Sequence, residues 1–291
     1  MATEHHWLGT NFRLAVDAAE RLLMPRFTRT IIPRIKKSFA EQGILPSLFR
    51  SVLLPVHLLR EYRISRKFRR NPEQTDYDLR HGVETAGDIG DRTYLSDLAI
   101  PSPNWIYGKD YSGIVPERFL AAVSSLNIRF EDFTLVDFGS GKGRALLLAS
   151  EFPFKRIIGA EFSPELHSIA QRNIEKYSSP QQKCKSIESV CLDFTTFPLP
   201  HEPCVLYFFD PCYETVLAQT LENIRRSLQE CPRPIWILFV SPMYERLLDA
   251  ADFLQTPVKN EKYFFSVYEG VWNACRPNDK TSAEGEQFSR E

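Results

Sequence analysis

The stretch Val136-Asp137-Phe138-Gly139-Ser140-Gly141-Lys142-Gly143-Arg144 decides how the chain is read. Apolar, β-type residues at 133–138 lead into three alternating glycines, and a helix-forming run at 145–149 follows. That order is a strand, a tight turn and a helix start, with bare backbone where a ligand comes close. Two other glycine loops fail on particular residues. A phosphate-binding P-loop needs Gly five positions before its Gly-Lys pair and Ser or Thr after it, but Val136 and Gly143 stand there. A dinucleotide fingerprint counted from Gly139 needs a small residue where Arg144 lies.

Around this stretch, strand-like runs at 133–138, 155–161, 186–192, 204–209, 235–241 and 262–268 alternate with helical runs at 143–151, 164–177 and 214–229. A further short strand is expected at 256–258. This alternation predicts an α/β fold, a largely parallel sheet with helices on both faces. In such sheets ligands bind beyond the carboxyl ends of the strands. Here the ends of four successive strands carry carboxylates: Asp137, then Glu161-Phe162, then Asp193-Phe194, then Asp210-Pro211-Cys212-Tyr213. Ser163 and Pro164 suit the N-cap and first turn of the helix after the second strand.

The order Asp137-x-Gly139-x-Gly141-x-Gly143 resembles the first motif of the class I, seven-strand S-adenosylmethionine-dependent methyltransferases. The resemblance implies a Rossmann-like, doubly wound seven-stranded sheet with S-adenosyl-L-methionine as cofactor. Gly139, Ser140, Gly141 and Gly143 would admit its methionine part, and Asp137 would orient the turn and meet its amino group. Glu161 would hold the ribose and Phe162 would pack on the adenine. Asp193 would accept from the adenine amine, with Phe194 beside it. Asp210-Pro211-Cys212-Tyr213 is one residue from the Asp-Pro-Pro-Tyr motif of amine-directed methyltransferases. There the acid and a backbone carbonyl accept hydrogen bonds from the target amine, which gives Asp210, Pro211 and Tyr213 the catalytic roles.

Trp105-Ile106-Tyr107-Gly108-Lys109-Asp110-Tyr111-Ser112, before a helix-like run at 116–126, resembles the cofactor-covering loop of the non-SET histone lysine methyltransferases. Tyr107 and Tyr111 would then close the site against water. The likeness spans roughly 104–242 and extends to uncharacterised bacterial class I methyltransferases. One departure bears on the substrate, because the histone-directed enzymes have Asn where Asp210 stands. A carboxylate stabilises an ammonium, whereas a lysine nucleophile must first lose its proton. A protein lysine is the favoured methyl acceptor. A nucleic-acid amine of the adenine N6 type and a small molecule are the alternatives. A cofactor-binding module without catalysis is the alternative of another class.

Bulk properties allow a soluble, cytoplasmic protein. The chain has 291 residues, with 43% hydrophobic and 25% charged. No apolar run is long and uninterrupted enough to span a bilayer, and no signal peptide is visible. Six cysteines lie between Cys184 and Cys275 without a C-x-x-C pair, so neither a metal nor a dithiol motif is expected. Cys191 and Cys204, in apolar runs, are expected to be buried thiols.

Charge divides the chain. Residues 1–75 hold 14 Lys/Arg and 6 Asp/Glu, a net of +8, and the remainder holds 22 and 31, a net of −9. We expect a basic helical extension over 1–75 with helices at 12–24 and 46–66, a methyltransferase domain over 76–275, and a disordered tail over 276–291. The cluster Arg63, Arg66, Lys67, Arg69 and Arg70 would either pack on the domain or meet an acidic partner or anionic membrane surface.

Overall fold

The computed structural model describes residues 73–87 and 93–271. The helices expected at 12–24 and 46–66, the basic cluster and the tail at 276–291 lie outside the described residues. Helix α1, Glu73–His81, crosses the domain boundary expected at 75. Helix α2, Pro116–Ser124, begins with Pro at its first turn, where a missing N–H costs nothing.

The elements that follow are β1 (Thr134–Phe138), α3 (Arg144–Ala149), β2 (Arg156–Glu161), α4 (Pro164–Lys176), β3 (Ile187–Cys191) and β4 (Cys204–Phe209). The chain continues through α5 (Glu214–Glu230), β5 (Ile235–Val240), α6 (Glu245–Asp249), β6 (Val258–Asn260) and β7 (Phe265–Glu269). Seven strands form one sheet in the order β3-β2-β1-β4-β5-β7-β6. β1 to β5 are parallel, and β7 runs antiparallel to both β5 and β6. The chain winds outward from β1 to β3, then returns to the far side of β1 as β4. The strand order reverses between β1 and β4, the place where α/β sheets bind ligands.

Alternating side chains build two cores. Val136, Phe138, Leu206, Phe208, Ile237 and Phe239 face α5 and α6. Leu135, Ile157, Val205, Leu238 and Val240 face α2 and α3. β1, β4 and β5 are buried almost throughout, which explains their unbroken apolar runs. β3 is an edge strand, so Cys191 is exposed and the expectation of a buried thiol there is corrected; Cys204, on a central strand, is buried. The last strand begins three residues later than its apolar run, because Phe264 turns the chain with φ of +54°. No helix among the described residues is long and apolar enough to cross a membrane.

The segment after α1 is fastened to the glycine turn. The side chains of Arg144 and Lys142 are both 1% exposed. Arg144 donates to Thr85 Oγ1 at 2.6 Å and to Asp78 Oδ1 at 3.1 Å, and its guanidinium lies 5.3 Å from the Tyr77 ring centre. Asp78 also accepts from the backbone N–H groups of Thr85 and Ala86 at 2.7 Å each. Lys142 donates to the carbonyl of Ala86 at 2.9 Å.

Candidate active site

The parallel register brings the strand-end carboxylates to one edge. Asp137 is level with Gly159 on β2 and Tyr207 on β4, so Glu161 and Asp210 reach two and three residues further along the same edge. The glycine turn at the end of β1 bends on positive φ, +85° at Gly139 and +54° at Gly141. A side chain at either position would also collide. A Cβ on Gly139 would come within 2.7 Å of Pro211, and one on Gly141 within 2.1 Å of the Tyr111 ring. The bare backbone therefore serves close packing of the turn against Pro211 and Tyr111. Gly143, also at positive φ, packs against Ala170.

Glu161 is buried, and its carboxylate holds the turn. It accepts from Gly141 N at 2.8 Å and from Ser163 N at 2.9 Å. Ser163 caps α4 and Pro164 occupies its first turn, as the sequence predicts. Burial pushes the Glu161 carboxyl up to about 7 against those backbone donors. Burial and the neighbouring Glu161 push Asp137 well above the usual carboxylate range. No hydrogen bond from a described residue meets Asp137. The Ser140 hydroxyl, packed over Gly159, likewise has no hydrogen-bond partner among the described residues.

The raised Glu161 pKa has a consequence for stability. The fold favours the protonated acid, so its contribution is fully present below about pH 4.5 and is lost as pH rises through about 7. At about 1.4 kcal/mol per pKa unit, the difference amounts to roughly 3 kcal/mol. Glu161→Gln removes the titration. The stability of the wild type relative to E161Q should therefore fall between pH 4.5 and 8, measured by urea denaturation. A difference that stays level across that range would show that the acid titrates normally.

Asp193 lies just beyond the end of β3. Its carboxylate accepts from Ser102 Oγ at 2.6 Å, Asn104 Nδ2 at 2.8 Å, Thr195 N at 3.0 Å and Thr195 Oγ1 at 2.8 Å. A carboxylate has about four acceptor sites, so its capacity is filled by the chain itself. Burial raises its pKa, but these donors outweigh it and hold the acid below its ordinary value. Asp193 thus fastens the turn Pro103–Tyr107 to the end of β3. Phe194 is buried edge-on to Phe138, 5.8 Å between ring centres, and lies under Gly139. Phe162 packs with its ring tip against Gly108 in the covering loop.

The covering loop pairs directly with the Asp210 motif. Gly108 and Cys212 form an antiparallel bridge, Lys109 N donates to the Pro211 carbonyl at 2.9 Å, and Tyr213 N donates to the Tyr107 carbonyl at 2.7 Å. The Pro211 carbonyl therefore also holds the loop. Tyr111 lies on the glycine turn and donates its hydroxyl to the Thr85 carbonyl at 2.6 Å. Lys109 Nζ lies 2.5 Å from Asp210 Oδ2, with side-chain exposures of 11% and 14%. The ammonium is 5.3 Å from the Tyr213 ring centre and 5.7 Å from that of Tyr244. Asp210 itself has φ of +43°.

The other two non-glycine residues at positive φ, Ser241 and Phe264, lie on the same edge, after β5 and before β7. Strained backbone of this kind persists only where its surroundings over-determine it. Buried Arg118 does so, donating to Ser241 Oγ at 2.9 Å and to the carbonyls of Tyr263 and Phe264 at 2.9 and 3.1 Å. Burial lowers its pKa to about 10. Lys109, Tyr244 and Arg118 carry no signal in the motifs of the sequence. Extending the strand-end rule to β5 finds Tyr244, because Ser241-Pro242-Met243-Tyr244 follows an apolar strand as Asp210–Tyr213 does.

Residues 136–234 match the family model described as a methyltransferase domain. An RNA methyltransferase from Salinibacter ruber, solved with S-adenosyl-L-homocysteine, is 20% identical; the alignment covers 53% of this chain and 88% of that one, with a TM-score of 0.34. A SAM-dependent methyltransferase from Aquifex aeolicus is 19% identical over 54% and 89% of the two chains, with a TM-score of 0.40. A predicted N6-adenine-specific DNA methylase from Listeria monocytogenes is 15% identical over 55% and 52%, with a TM-score of 0.42. Comparison with curated proteins gives no match.

The doubly wound, seven-stranded sheet is Rossmann-like, and the segment matched by the methyltransferase-domain model carries its glycine turn. The site fits the cofactor. Asp137 and Ser140 are buried at the glycine turn, and the Ser140 hydroxyl has no hydrogen-bond partner among the described residues. Asp137 suits the cofactor's ammonium.

Proposed function

We propose that the protein is an N-methyltransferase acting on a primary amine, with a protein lysine side chain as the leading acceptor. One observation carries this reading: Gly139 of the cofactor turn packs directly against Pro211 of the Asp210–Tyr213 motif, so donor and acceptor groups share one edge. When bound, the cofactor would supply an electrophilic sulfonium methyl for transfer to the amine nitrogen. Asp137 and the backbone of 139–143 hold the cofactor's methionine end, and Glu161 keeps the turn in shape. Asp210 accepts a hydrogen bond from the amine and aims its lone pair, while Tyr213 flanks it. Catalysis is then chiefly positioning, with the reacting atoms held about 3–3.5 Å apart. The loop resemblance to non-SET histone lysine methyltransferases supports the choice of lysine. The basic 1–75 segment would attract an acidic surface on the substrate's carrier.

The amine must be neutral to react. Against a reference pKa of about 10.4, deprotonation at pH 7 costs roughly 4–5 kcal/mol. Asp210 adds to that cost by favouring the ammonium. The expected kcat/KM therefore climbs about tenfold per pH unit from pH 7 to 9, the behaviour of a nucleophile whose proton leaves above that range. A profile level over those two units would point instead to a neutral acceptor such as adenine N6.

A further inference from the structure

We propose that Asp210, Tyr213 and Tyr244 form a binding site for a primary ammonium, that Lys109 is its built-in occupant, and that a substrate amine enters by displacing the Lys109 side chain. The inference deepens the amine-transfer reading and rests on it.

The site has the chemistry of an ammonium receptor. Asp210 Oδ2 meets Lys109 Nζ at 2.5 Å, and both side chains are largely withdrawn from solvent. Two tyrosine rings lie within 6 Å of the same nitrogen, the range in which a ring quadrupole attracts a cation. The rings themselves are 6.4 Å apart and tilted by 56°, so they line the nitrogen from two directions. A pocket made only to fasten the loop would not need this. The loop backbone is already held by Lys109 N to the Pro211 carbonyl, by Tyr213 N to the Tyr107 carbonyl, and by Ser102 and Asn104 on Asp193.

Those independent fastenings make displacement simple. The Lys109 side chain is four flexible carbons long. It can swing out while the backbone from Ser102 to Lys109 stays in place. An incoming lysine side chain presents the same ammonium on the same stem, so it replaces each contact that Lys109 gives up. Occupancy by Lys109 therefore acts as competition. If Lys109 fills the site nine-tenths of the time, a substrate amine binds about tenfold more weakly than it would to the empty site.

The test uses the full-length protein and n-butylammonium chloride as probe, with 1-butanol as its uncharged counterpart. Lys109→Ala should lower the melting temperature, and millimolar butylammonium should restore at least half of the loss. Butanol should not restore it, the wild type should respond only at about tenfold higher butylammonium, and K109A/D210N should lose the rescue. KM for a lysine peptide should fall about tenfold in K109A. If K109A does not fold, Lys109→Gln keeps the stem and a donor for Asp210, and butylammonium should stabilise it more than butanol does. Equal responses to the two probes, or equal responses in wild type and variant, would overturn the proposal. Rescue without any amine product would keep Lys109 as occupant of an ammonium site and overturn substrate displacement. Absent rescue with lysine methylation intact would overturn the occupant alone and leave the amine-transfer reading standing.

Discussion

Replacing Asp210 by alanine should lower kcat by roughly a hundred- to a thousand-fold, the loss typical of removing a group that orients a reacting atom. On the proposed reading, in which the acid faces the acceptor while Asp137 and the glycine turn face the cofactor, the affinity for S-adenosylmethionine should stay within about threefold. The two effects separate in single-turnover rates and in calorimetric binding of S-adenosylhomocysteine. Asp210→Asn is the informative companion. It keeps an acceptor oxygen but removes the charge that favours an ammonium. With a lysine nucleophile, Asn should retain most of the rate and shift the pH profile toward lower pH. Equal loss of cofactor affinity and rate in Asp210→Ala would place this residue in the cofactor pocket instead.

A second large effect is expected far from the chemistry. Asp78→Ala removes the partner of Arg144, whose side chain is 1% exposed. Breaking a buried pair by deleting one member costs up to about 3–5 kcal/mol, and Arg144 keeps its contacts to Thr85 Oγ1 and the Tyr77 ring. The same substitution strips the acceptor from the backbone N–H groups of Thr85 and Ala86. Tyr111 rests on Thr85 and Arg144 lies at the start of α3, so cofactor affinity should fall together with stability. Urea denaturation with and without S-adenosylhomocysteine reads both quantities. A loss under 1 kcal/mol would mean that residues 76–87 are not required to hold the turn.

The features legible in the sequence follow chain-local rules. The strand–turn–helix at 133–149 shows in apolar periodicity and glycine spacing, and the Ser163-Pro164 cap in two adjacent residues. Parallel strands of similar length end at one edge, so strand ends alone suffice to group Asp137, Glu161, Asp193 and Asp210 there. Their partners are not legible in the same way. Lys109 and Asp210 are 101 residues apart, Ser102 and Asp193 are 91 apart, and Arg144 and Asp78 are 66 apart. No spacing rule connects such pairs; they form only when the covering loop and the segment after α1 close over the sheet. The same closure explains why Asp193 fastens a loop. Its four donors come partly from Ser102 and Asn104, in a stretch that carries no motif. Arg144 figures in the sequence only as a departure from another glycine loop and Lys142 has no role there, although burial makes both part of the turn's foundation.

Methyl transfer to a primary amine at Asp210 can be read from its product. Methyl-labelled S-adenosylmethionine would be incubated with the protein and an equal mixture of lysine-rich protein, RNA and DNA, and the labelled product identified by mass spectrometry. Label is expected on lysine Nε, dependent on Asp210. Label on a nucleobase, on an oxygen or a carbon, or lysine labelling that survives Asp210→Ala, would contradict amine transfer at this site.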